Sequence, residues 1–339
     1  MRQVPFLIFS LMLIISQPLY CAQFLTYDFD DLLTASVSDE TQSTGVTLIY
    51  FPKGAQAAID IRGGSVGTFF TSQKMAQGDA YIDGIALCGG GILGLQAVSG
   101  VTEAIFQSQD QTKFEKMPLI SGAVIFDYTA RQNKIYPTVQ LGKEAFSQLR
   151  SSQFCLGSCG VGTSATVGKL LANQYTRSGQ GAAFEQIGKT KIAVFTVVNS
   201  VGVVVDGEKI VHPFQFNHTS HLDDSIANLL QSPQSIPFFK QHNTTLTVVV
   251  TNEKLSSRHL QQLAKQVHHG LSEVIYPYAT ILDGDLLYMV STGTRVSDLF
   301  VPGSEIETDF NAKLIYLGIH ATRLAKQAVW RSVGYFPSQ

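Results

Sequence analysis

Charge is scarce in this sequence. Asp, Glu, Lys and Arg make up 15% of its 339 residues, and the formal net charge is −2. A chain this close to neutral lacks the basic footprint of a nucleic-acid binder. Its 45% hydrophobic content excludes a disordered chain. Four cysteines are too few for a small disulfide scaffold. The eight histidines form no metalloprotease pattern. His218 and His221 lie close together without partner ligands, so no metal is predicted. Sustained heptads and repeats of 20–50 residues are missing, which excludes coiled coils and solenoids.

What is present begins with an apolar N-terminus. Met1-Arg2 is a short basic start, Val4 to Ile15 is nearly all apolar, and Pro18, Cys21 and Ala22 follow. This predicts a secretory signal peptide over residues 1–22. The run is shorter than the roughly 20 residues of a spanning helix, so an uncleaved anchor is the lesser reading. A lipoprotein site at Cys21 is disfavoured by the bulky Tyr20 before it. The expected protein is secreted or periplasmic and free of the membrane once the signal is removed. Export permits a disulfide between Cys155 and Cys159. Spacing alone leaves two thiols in a loop equally open.

Gly45–Tyr50 and Ala57–Ile61 read as strands, with a turn at Pro52-Lys53-Gly54. Tyr81–Cys88 is an apolar run leading into a helix-like stretch, Ile92–Val101. Ala123–Tyr128 reads as a strand and Lys143–Ser151 as a helix. Lys191–Val205 is β-rich, and Asp206–Asn243 reads as an exposed connector. Thr245–Thr251 reads as a strand. Ser257–His269 follows as a helix with a Ser cap and Gly270 past its end. Ile281-Leu282 and Leu286–Val290 read as strands around Asp283-Gly284-Asp285, and Asp309–Val333 as a terminal helix. The mixture implies an α+β, layered architecture.

Gly89, Gly91 and Gly94 fit G-x-G-x-x-G between a strand and a helix, a dinucleotide-binding pattern. At least two strands precede it, and no acid-tipped strand follows about 20 residues on. Close packing that only glycine allows is the better reading, and no cofactor is predicted.

Lys169, Asn199, Asn243-Thr244 and Asp283-Gly284-Asp285 each have a bland meaning alone: a solvated helix lysine, a turn, a loop entering a strand, a hairpin turn. In order they match a family. The chain resembles the autoprocessed N-terminal-nucleophile aminopeptidases of peptidase family S58. These include the L-aminopeptidase/D-esterases, β-peptidyl aminopeptidases and nylon-oligomer endo-hydrolases. The resemblance runs from Leu25 to Gly293. It rests on Gly45-Val46-Thr47, Arg62-Gly63-Gly64, Leu87 to Gly91, Gly122 to Asp127 and Gly160 to Thr163. It continues through Ala165 to Lys169, Val198-Asn199, Asn243-Thr244-Thr245, Asp283-Gly284-Asp285 and Ser291-Thr292-Gly293.

The resemblance implies a four-layer αββα sandwich and a zymogen cut by itself between Asn243 and Thr244. A single hydrolase domain, 23–339, would become an α chain, 23–243, and a β chain, 244–339. Thr244 would then carry both a nucleophile and a free α-amine. Such an amine has a pKa of about 7.7–8.0, suited to general-base work. Asn199 would donate to the oxyanion, Lys169 would favour the neutral amine, and Asp283 and Asp285 would orient Thr244 and Lys169. Substrates would be small peptides or unusual amides. The αβ pairs would form a homo-oligomer.

Two other readings remain: acyl transfer, as in ornithine acetyltransferases, and a binding scaffold whose catalysis has decayed. Phe126 stands where the family often has Tyr, which removes a phenol donor near the reacting carbonyl. Cys155, Cys159 and Ser164 also depart from the small residues usual there.

Overall fold

The computed structural model describes residues 23–110, 112–114, 116–169, 175–212, 243–295 and 310–337. The signal segment, His218, His221, most of the connector and Asp309 lie outside the described residues.

The principal strands are β1 (Leu33–Ser38), β2 (Gly45–Ile61), β3 (Thr68–Phe69), β4 (Ala80–Cys88) and β5 (Ile120–Val124). They continue as β6 (Gln180–Ile187), β7 (Thr190–Asn199), β8 (Thr244–Glu253) and β9 (Leu286–Arg295). The helices are α1 (Gln73–Ala76), α2 (Gln96–Ser108), α3 (Val139–Ser147), α4 (Ser257–Gly270) and α5 (Phe310–Ser332). One hydrogen-bonded sheet runs β6-β7-β8-β9-β2-β4-β5-β3, with β1 also on β2. β8 pairs antiparallel with β7 and parallel with β9, so it is an interior strand.

β2 joins two layers. Pro52-Lys53-Gly54, expected as a turn between two strands, is an irregularity within one 17-residue strand. The register to β4 shifts between Tyr50 and Ala55, as a bulge bends a strand without ending it. Gly54 has φ +72° and lies where a Cβ would strike the Tyr81 ring.

Period-two alternation then sorts side chains into separate cores. Leu246, Val248, Val250, Leu286, Tyr288 and Val290 face a central core with Ile49, Phe51, Ile82 and Ile85. Val249, Leu287 and Met289 point the other way, onto Leu260, Leu263 and Val267 of α4 and Leu317, Leu324 and Ala328 of α5. Val46, Leu48, Ala86 and Cys88 pack on Ala97, Val98 and Val101 of α2 and Leu141 and Ala145 of α3. Helix, sheet, sheet, helix is the resulting order, the αββα sandwich that the resemblance implies. Helices α2 and α3 touch through glycines: a Cβ on Gly100 would lie 2.0 Å from the Val139 carbonyl oxygen, and one on Gly142 2.0 Å from that of Ala97.

Several boundaries differ from expectation. Helix α4 does start at Ser257 with a Ser cap, Ser256, its hydroxyl accepting from His259 N–H. Gly270 lies within α4, where its missing side chain makes room for Thr322 of α5. Ile281-Leu282 is a turn, not a strand, closed by Asp283 N–H on the Thr280 carbonyl (3.1 Å). Gly94 brings its helical turn against the Gly89 carbonyl, and Gly89 faces Thr44 and Asp127. The glycine pattern thus has a packing cause. Among the described residues no helix is long and apolar enough to cross a membrane.

Cys155 and Cys159 form a disulfide, four residues apart, which settles the alternative left open by spacing. It closes the loop whose Gly160 and Val161 pack on β1 and β2. Closing so short a loop stabilises by about 2 kcal/mol in the chain-entropy account. A Cys155→Ala/Cys159→Ala double variant should lose about that much in urea unfolding, with the fold retained by circular dichroism.

Candidate active site

Asn199 ends β7 and Thr244 begins β8, and the two are register partners. Both are buried, Asn199 at 0% and Thr244 at 4% exposure. Asn199 is held at every polar atom. Its Oδ1 accepts from Lys169 Nζ (2.9 Å) and Thr166 N–H (3.1 Å), and its Nδ2 donates to the Phe126 carbonyl (3.0 Å). Two donors on one atom and an acceptor on the other fix the amide's orientation.

Lys169 follows the short strand Thr166–Val167 and is no solvated helix residue: its exposure is 1%. Its ammonium also donates to the Asn199 carbonyl (2.7 Å). Its own N–H bonds the Val201 carbonyl (2.9 Å). Burial pulls its pKa down to about 7, opposed by the charges of Asp283, Asp127 and Asp285. A lysine poised near neutrality can exchange a proton with its surroundings.

The Asn243 carbonyl oxygen accepts from the Thr244 hydroxyl and from Gly284 N–H (2.6 Å). Asn243 bridges Asp283 in parallel. Gly284 is glycine for a steric reason, since a Cβ there would lie 2.7 Å from Thr244 Oγ1. The Thr244 hydroxyl is thus held against the preceding carbonyl, whose oxygen a fixed N–H polarises.

Asp283 and Asp285 are both fully buried. Asp283 accepts from Val201 N–H (3.1 Å) and from the Thr280 hydroxyl (2.5 Å). Asp285 accepts from Thr245 N–H (2.5 Å) and Ala279 N–H (3.0 Å). Burial raises the pKa of Asp283, although Thr280, Val201 and Lys169 oppose it. Burial and the neighbouring Asp283 hold Asp285 well above the usual carboxylate range. The two side chains meet one segment, Ala279-Thr280.

The Arg62-Gly63-Gly64 motif is the wall behind this pair. A Cβ on Gly63 would lie 2.2 Å from Asp285 N. Ser65 N–H bonds the Asp283 carbonyl (2.9 Å). Asp127 anchors the other side: its carboxylate pairs with Arg131 (2.7 Å) and accepts from Gly90 N–H (2.9 Å) and Thr44 Oγ1 (2.6 Å). Phe126, at the family's Tyr position, packs on Tyr128 with ring centroids 5.1 Å apart.

All five predicted side chains therefore gather around the Asn243–Thr244 junction. Sequence reading missed Gly284 N–H, Thr166, Ala279 and Thr280. Backbone donors carry no residue signature, and a lone Thr before an Asp-Gly turn is unremarkable.

The fold and this cluster define a hydrolase of peptide or amide bonds with the N-terminal-nucleophile (Ntn) fold. A model of peptidase family S58 matches residues 31–335, and the chain belongs to that family. It is 35% identical over 321 residues to a 6-aminohexanoate-oligomer endohydrolase of Paenarthrobacter ureafaciens, covering 92% of this chain and 85% of that one. An uncharacterized aminopeptidase of Mycobacterium tuberculosis (strain H37Rv) is 31% identical over 259 residues, covering 74% and 73%. Among solved structures, the L-aminopeptidase D-Ala-esterase/amidase of Ochrobactrum anthropi, a variant of the Ntn hydrolase fold, superposes with a TM-score of 0.63. It is 16% identical and covers 89% of this chain and 84% of that one. A Burkholderia β-aminopeptidase gives a TM-score of 0.62 at 14% identity, with the same coverage.

The Lys169 shift makes a stability prediction. In the unfolded chain the amine keeps its proton up to about pH 10.4, whereas in the fold it loses it near pH 7. Between those values the unfolded state binds more protons, so this group makes stability rise with pH. In Lys169→Met that rise should vanish when urea unfolding is compared at pH 7 and pH 9.

Proposed function

We propose that this protein is an exported zymogen that cuts its own Asn243–Thr244 bond and then uses Thr244 to hydrolyse small peptides or unusual amides. The observation carrying the reading is the Asn243 carbonyl oxygen, held by both the Thr244 hydroxyl and Gly284 N–H. In the first stage Thr244 Oγ1 bonds to the Asn243 carbonyl carbon. The C–N bond breaks, the hydroxyl proton passes to nitrogen, and an ester results. Water hydrolyses the ester, leaving the Asn243 carboxylate and a free Thr244 amine. The products are an α chain, 23–243, and a β chain, 244–339, in one domain.

In the second stage the α-amine takes the Thr244 hydroxyl proton as the oxygen attacks a substrate carbonyl. It returns the proton to the leaving amine, and water releases the acyl group. Asn199 Nδ2 donates to the oxyanion, and Lys169 holds Asn199. The Asp283/Asp285 pair supplies the compensating negative charge. Phe126 contributes no phenol, so side-chain donation rests on Asn199.

The relatives named for 6-aminohexanoate-oligomer hydrolysis support amides of aliphatic amino acids as the substrate class. The apolar N-terminus supports export to the periplasm or medium. A homo-oligomer of αβ pairs follows from the family resemblance.

The decisive measurement is the intact mass of the purified protein under denaturing conditions, followed by N-terminal sequencing. Two chains are expected, one beginning Thr-Thr-Leu-Thr. Thr244→Ala should give one chain and no turnover of amino-acid p-nitroanilides or 6-aminohexanoate oligomers. Normal cleavage in that variant would sink the proposal. In Asn199→Ala, kcat should fall by roughly 100- to 1,000-fold, the usual loss for one oxyanion donor.

A further inference from the structure

Two buried carboxylates side by side do not ionise together easily, and the donors around this pair divide them. We propose that Thr280 is a positioning residue: its hydroxyl, donated to Asp283 Oδ2, keeps that side chain the ionised, fixed member and leaves the pair's proton on Asp285.

The hydrogens around each carboxylate separate the two. Thr280 Oγ1 accepts from Leu282 N–H (3.3 Å), and its single hydrogen goes to Asp283 Oδ2 (2.5 Å). Thr280 N–H reaches the same oxygen (3.3 Å). With the Thr280 hydroxyl and N–H both donating to Oδ2, a proton there would have to displace one of them. The other oxygen, Oδ1, accepts from Val201 N–H (3.1 Å). Asp283 is thus surrounded by donors, as an ionised carboxylate requires.

Asp285 is different. Each oxygen has one backbone donor, Thr245 N–H and Ala279 N–H, and each keeps a lone pair free. The buried Thr245 hydroxyl faces it without closing a full hydrogen bond, and its pull toward the ionised form is weaker than the raising effects of burial and Asp283.

Other charges facing the pair agree with this division. Lys169 favours the ionised form of Asp283, and Asp283 raises Asp285. Tyr278, whose pKa burial and the two carboxylates push well above its usual value, stays neutral, with Arg62 and Asp60 beyond it. Asp127 acts on Lys169 from the opposite wall. The segment is built to hold its position: the Thr280 carbonyl accepts from Gly64 N–H (3.2 Å) and Asp283 N–H (3.1 Å). Ala279 takes φ +56°, a conformation costly for a residue with a Cβ.

The inference rests on the proposed reaction only for its kinetic consequence, so its first test avoids turnover. Full-length Thr244→Ala protein, labelled with carbon-13 at the Asp carboxyls, is titrated by NMR. The two signals are assigned through Asp283→Asn and Asp285→Asn. Asp283 is expected to lose its proton at lower pH than Asp285. Thr280→Val should raise the Asp283 midpoint by about one pH unit, and Thr280→Ser should restore it. An unchanged midpoint in folded Thr280→Val overturns the proposal. So does an Asp283 that keeps its proton longer than Asp285 in the Thr280-containing protein, a result that needs no Thr280 variant to fold. In the wild-type sequence, Thr280→Val should move the acid limb of the self-cleavage rate upward by a similar shift, while Thr280→Ser leaves it in place. If the unsubstituted chain neither cleaves nor hydrolyses, the proposed function fails, while the titration still decides the role of Thr280.

Discussion

A lysine taken wholly out of water has to be compensated, and the site is arranged around that requirement. Removing an ammonium from solvent costs several kcal/mol even after relaxation. Lys169 meets the cost with two hydrogen bonds to Asn199 and the field of the aspartates around it, and its proton affinity still drops by several orders of magnitude. Asn199 is thereby locked at both ends, because the oxygen that serves Lys169 turns its amide nitrogen toward the Phe126 carbonyl. Asp283 and Asp285 have to be near for the same electrostatic reason. Their own burial then demands the ring of backbone N–H groups around them.

The sheet makes this precision possible. Strand ends are poorly fixed when they fray at an edge, but Thr244 starts an interior strand with neighbours on both sides. Asn199 is set by the adjacent strand, so the distance between the two residues is a property of the ladder. Loops complete the enclosure only where glycine lets backbones meet. Gly63 lies against Asp285, and Gly284 lies against Thr244.

Much of this was legible in the sequence because alternation and motif order are carried by side chains. The Thr245–Thr251 pattern marks the central strand, and the spaced Lys169, Asn199, Thr244 and Asp283-Gly284-Asp285 indicate the cluster and the family. The failures have physical causes. Pro52-Lys53-Gly54 has the composition of a turn, but flanking β pairing overrides it and leaves a bulge. Ile281-Leu282 is apolar enough for a strand, but Thr280 and Asp283 close a turn around it, and Ile281 is 80% exposed. Gly270 has the look of a helix stop and acts as a contact for α5 instead. Gly284 N–H was invisible because every residue but proline has one.

The position of β8 has a consequence for assembly order. Its partners β7 and β9 come from opposite sides of the Asn243–Thr244 bond, and β9 in turn lies on β2. The segment after Asn243 is therefore inserted between two strands that precede it, like a card pushed into the middle of a hand. Neither piece could complete this sheet alone. The residues proposed to make the cut are brought together by the same strand pairing, so under that proposal a chain that has not closed its sheet has no means of cutting itself.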